Sequence, residues 1–69
     1  MNTTNALRTE AARIVRARFA RGDAADAIAA DYGVSRRAIY RWVADGNRER
    51  PSCTVAGRIV AAEKARVSP

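Results

Sequence analysis

Five residues within seven positions hold the most specific chemistry of the chain: Ser35, Arg36, Arg37, Tyr40 and Arg41. Their guanidinium, phenol and hydroxyl groups donate hydrogen bonds to phosphate oxygens and to base edges, and a guanidinium can meet the O6/N7 pair of guanine with two bonds at once. Nothing beside them suits covalent or proton-transfer chemistry. His is absent from the 69 residues and Cys53 is the single cysteine, so the thiol has no imidazole to activate it, and neither an intrachain disulfide nor a zinc cluster can be assembled. These residue types predict a protein that binds, without enzymatic activity, cofactor or metal.

The array needs a scaffold, and the residues from Asp23 to Val43 read as one: a helix, a tight turn at Gly33 and a second helix that opens on two arginines. Ile28 and Ala29 precede the glycine by four or five positions, Val34 follows it at once, and Ile39, Trp42 and Val43 share a face further on. Two short helices crossing at roughly 90–120° need apolar residues at those places. Gly33 suits a backbone with positive φ, Ser35 suits an N-cap, and Ala29 is small where the second helix passes close. Arg36 and Arg37 occupy the first turn, where the macrodipole disfavours cations; their presence makes sense where that helix end meets an anion. The outward face of Ser35, Arg36, Arg37, Tyr40 and Arg41 then suits a DNA major groove.

The rest of the chain bounds the fold. With 69 residues, one Trp, one Phe, two Tyr, four Gly and two Pro, it has room for one small core and favours helices over strands. The expected class is all-α, a single four-helix helix-turn-helix domain, homeodomain-like or repressor-like. A net charge of +6 and a pI near 11.1 point to a polyanionic partner. Neither a membrane span nor a signal peptide is visible, which predicts a cytoplasmic, nucleoid-associated chain.

Helix one is expected at about 5–21, with Leu7, Ala11, Ile14, Val15 and Phe19 on its apolar face and Gly22 as its C-cap. Arg13 and Arg16 fall on the opposite face, either solvated or touching phosphate, while Arg8 and Arg18 lie at the apolar arc and are expected to snorkel outward. Helix two, 24–32, has Asp23 as its expected N-cap and Asp26 in its first turn; Asp31 is expected to face away. Carboxylates there would repel a phosphate unless the helix is tilted or one of them orients an arginine. The recognition helix, 36–45, stops at Asp45-Gly46, and the connector behind it carries Arg48 and Arg50, which either hold a phosphate or are loop charges. A closing helix, 53–66, starts at Ser52 or Cys53-Thr54. It shows two stripes, Val55, Ile59 and Ala62 against Ala56, Val60 and Val67; either one completes the core while the other meets a second copy of the chain, the interface drawing on Val55, Ile59, Val60 and Val67, or both form one broad intrachain face.

The residues Ala-Ile-Ala-Ala-Asp-Tyr-Gly-Val-Ser-Arg-Arg-Ala-Ile-Tyr-Arg-Trp-Val resemble the helix-turn-helix of serine-recombinase DNA-binding domains, transposase N-terminal domains and small phage repressors, over Arg13 to Val43. The segment Arg-Pro-Ser-Cys-Thr-Val-Ala-Gly-Arg-Ile-Val-Ala-Ala-Glu resembles the loop and closing helix of compact dimeric repressors, including anti-CRISPR-associated autoregulators. The resemblance implies base and phosphate contacts from Ser35, Arg36, Arg37, Tyr40 and Arg41. A recombinase or transposase needs a catalytic domain, and these residues, which open on Met1, hold none. The expectation is a homodimeric, sequence-specific regulator of double-stranded DNA, acting as a repressor or autorepressor. Two alternatives stay open: a recombination or packaging accessory of excisionase or small-terminase type, and an antitoxin-like protein-interaction module.

Overall fold

Gly33 sets the layout of the chain. It lies in the left-handed region (φ 67°, ψ 36°) directly after α2 (Ala25–Tyr32), where a Cβ is penalised, and its N–H closes the helix on the Ala29 carbonyl. The Val34 N–H donates to the same carbonyl at 3.0 Å. Ser35 then starts α3 (Arg36–Val43), its Oγ accepting from the Ala38 N–H at 3.2 Å. In this computed structural model, which describes residues 3–44 and 49–67, α1 (Thr3–Ala20) and α4 (Cys53–Val67) complete an all-α domain of four helices, with no strand among the described residues. None of these helices is long and apolar enough to cross a membrane.

The long helices α1 and α4 pack on each other, while α2 and α3 close the other side of the core. Small residues allow the helices to approach: Ala11 and Ala56 are fully buried and Ala25 and Ala29 nearly so. Larger side chains fill the centre, with Val15 from α1, Ile28 and Tyr32 from α2, Ile39 and Trp42 from α3, and Ile59 from α4. Ser52 starts α4 as expected, its Oγ accepting from the Val55 N–H at 3.3 Å.

Four arginines help to assemble this core. Arg18 is 7% exposed and points inward rather than snorkelling outward. Its Nε donates to Asp23 Oδ2 and its Nη1 meets Asp31 Oδ2, each at 2.8 Å, and the guanidinium lies 5.5 Å from the centre of the Tyr32 ring. Asp31 therefore faces α1 and not the far side, and Asp23 serves Arg18 and Arg21 in place of the expected N-cap role. The cap of α2 is Ala24, with no side-chain bond, because two guanidiniums outbid one backbone N–H for the carboxylate. Burial draws the Arg18 pKa down, and hydrogen bonds to Tyr32, Asp23 and Asp31 more than offset it, so the pKa stands raised and the guanidinium stays charged. Hydrogen bonds from Arg18 and then Arg21 hold the Asp23 carboxyl below its ordinary range.

The other three arginines satisfy carbonyls that helix ends or connectors leave open. Arg16 Nε donates to the Trp42 carbonyl at the end of α3 (2.9 Å), Arg58 Nη1 to the Tyr32 carbonyl at the end of α2 (3.1 Å), and Arg8 Nε to the Pro51 carbonyl (2.8 Å). A cation at a helix C-terminus also complements the macrodipole. The two stripes of α4 prove to be shoulders of one inward face: Ala56 and Ile59, one from each stripe, are both fully buried, and Val55, Val60 and Ala62 flank them. Ile59 therefore belongs to the chain's own core and has no surface for a second copy.

Candidate nucleic-acid interface

The face of α3 that its core residues leave outward carries the predicted array. Ile39 and Trp42 are buried and Val43 half-buried, which turns Arg36, Arg37, Tyr40 and Arg41 to solvent; with Ala44 they line one open depression. Ser35 lies at its head. The Ser35 Oγ is engaged as the helix cap, which leaves its hydroxyl proton available as a donor.

Each cation of the array has a different situation. Arg37 has no ion pair or hydrogen bond among the described residues. Arg36 Nη1 stands 3.4 Å from Asp26 Oδ1, so the carboxylate in the first turn of α2 does face an arginine of α3, across an exposed and weak contact. Arg41 Nη2 donates to Glu49 Oε1 at 2.6 Å from the connector behind the helix. The exposed Phe19, at the end of α1, sets its ring 6.1 Å from that of Tyr40 at 82°, an edge-to-face contact that steadies the half-exposed phenol.

The structure thus brings Ser35, Arg36, Arg37, Tyr40 and Arg41 together on one helix. Arg50 is exposed in the connector but does not line the depression, and Arg48 lies outside the described residues, as does the side chain of Val67. Sequence reasoning missed Glu49 and placed Phe19 on the apolar face of helix one. Neither carries a local signal, since Phe19 meets a ring from another helix and Glu49 meets Arg41 across the connector.

This surface can meet polyanionic oxygens with its guanidiniums, hydroxyl and phenol, and can place a guanidinium against base edges. Comparison with known protein families, curated proteins and solved structures finds no match, so the functional reading rests on this geometry.

Proposed function

We propose that the chain binds double-stranded DNA sequence-specifically through the outward face of α3 and regulates transcription by occupying a promoter. The observation that carries this reading is the placement of three arginines and Tyr40 on one open helix face, two of the arginines in a first turn where a helix alone disfavours cations. Arg37 and Arg41 are the proposed readers of guanine, while Ser35, Arg36 and Tyr40 hold phosphates. Chemistry supports the division, because bidentate guanidinium contacts discriminate bases and single contacts to phosphate only position the protein. Repression follows where the bound protein excludes polymerase.

The test is a titration on DNA from upstream of the chain's own gene against scrambled DNA of equal length, at about physiological salt. A preference of roughly a thousandfold or more is expected. Arg37→Ala should cut that preference by roughly fivefold to 150-fold, from the loss of about 1–3 kcal/mol of discrimination. Equal binding of both DNAs by the parent would overturn self-regulation, and an unchanged preference in Arg37→Ala would overturn this face as the reader.

A further inference from the structure

A second surface lies on the far flank of α1 from the one that meets α3. Arg16 and Phe19 turn one side of α1 to α3, whereas Glu10, Arg13, Ile14 and Ala17 turn the other to a groove completed by Val60, Glu63 and Lys64 of α4. The floor is apolar: Ile14 and Val60 are only partly buried and Ala17 is exposed. Its rim, taken as the residues that line it, carries two acids and two bases, so the lining is neutral on a chain of net charge +6.

The rim charges are loosely held. Arg13 Nη1 stands 3.5 Å from Glu10 Oε2, and Arg66, which does not line the groove, sets its Nη1 3.6 Å from Glu63 Oε2, both beyond good hydrogen-bond length. Glu63 Oε2 is shielded from solvent with no hydrogen-bond donor, and Lys64 has no partner among the described residues. Ionised groups around an apolar floor, none of them in a close hydrogen-bonded pair among the described residues, mark a surface that gains from a partner with the same mixture.

We propose that this groove is where a second copy of the chain docks, in a twofold arrangement that sets Ile14, Ala17 and Val60 against their counterparts and Arg13 and Lys64 against Glu10 and Glu63 of the other copy. A patch that pairs with itself must be complementary to itself, and equal numbers of both signs around an apolar centre meet that condition. A polyanion would be repelled by half of the rim, and so would an acidic or a basic peptide. The arrangement leaves α3 of each copy open, because the groove and the α3 contacts lie on different flanks of α1.

The experiment is sedimentation equilibrium of the full chain without DNA, through the micromolar range, with circular dichroism to establish that each variant is helical. The parent should approach twice its 7.5 kDa mass. Ala17→Arg, a change at a residue exposed in the single chain, should sediment as one chain. Arg13→Glu with Lys64→Glu makes the rim wholly acidic, and Glu10→Lys with Glu63→Lys makes it wholly basic; each protein should be monomeric alone, and an equimolar mixture should restore the doubled mass. A parent that stays monomeric overturns the proposal, as does a dimer that Ala17→Arg leaves intact or a mixture that fails to associate. DNA binding does not enter the measurement, so its outcome stands apart from that of the reading helix.

Discussion

Single side chains decide how strongly the array can bind, and the carboxylates beside it are as informative as the arginines. Glu49 holds Arg41 at 2.6 Å and Asp26 stands 3.4 Å from Arg36, both in exposed pairs that contribute only about 0.2–1 kcal/mol each. Pairs of that strength would yield to a phosphate or a guanine edge, so on the proposed reading Glu49 would compete with DNA for Arg41 and repel the phosphates around it. Glu49→Gln should therefore tighten binding to matched and scrambled DNA alike by roughly twofold to tenfold, about 1 kcal/mol for one carboxylate near a phosphate in a watery interface. Parallel titrations at one salt concentration check this. Weaker binding by the variant would mean that Glu49 instead aims Arg41 at its base.

At the scale of elements, the unit of α2, turn and α3 was legible because its signals are local. Gly33, Ser35 and the Ile39–Trp42 face each act within one or two turns of chain, and the structure places all of them as the spacing predicts. The carbonyl contacts of the arginines were not legible. An arginine stem packs equally well on a surface or in an interior, and what settles its direction here is a carbonyl far along the chain: 43 residues away for Arg8, and 26 for both Arg16 and Arg58. Asp23 fell to the same cause, since a good N-cap residue met a better partner in Arg18. The turn itself makes a sharp prediction. A Cβ at Gly33 would stand 3.1 Å from Arg58 Nη1, the same nitrogen that caps α2, and would add the left-handed penalty of about 1–2 kcal/mol. Gly33→Ala should lower the Tm by roughly 4–8 °C per kcal/mol lost, and Gly33→Asn by less, because Asn visits that region more readily. Thermal unfolding followed by circular dichroism separates the two.

For the whole molecule, a net charge of +6 says less than the positions of its charges, because arginines bound to carbonyls contribute little to phosphate contact. Salt dependence measures the difference: Arg36→Ala should reduce the slope of log K against log salt by about 1, whereas Arg58→Ala, a residue committed to the Tyr32 carbonyl, should leave the slope unchanged while lowering the Tm. Acid acts on the same network from the other side. Asp23 has a folded pKa below its ordinary value because Arg18 and Arg21 favour the carboxylate, so at low pH the unfolded chain takes up that proton before the folded one does. The stabilisation is complete above the ordinary carboxylate pKa and is lost as pH falls through the lower, folded value. Stability should hold from neutrality down to about pH 5 and decline below about pH 4. Arg18 stays charged throughout that range, so protonating Asp23 weakens the hold on a guanidinium that is 7% exposed and ties α1 to α2. Asp23→Asn should reproduce part of this loss already at neutral pH and flatten the decline in acid. Urea unfolding of both proteins between pH 3 and pH 7 is the measurement, and an equally steep acid decline in the variant would place the sensitive carboxylate elsewhere.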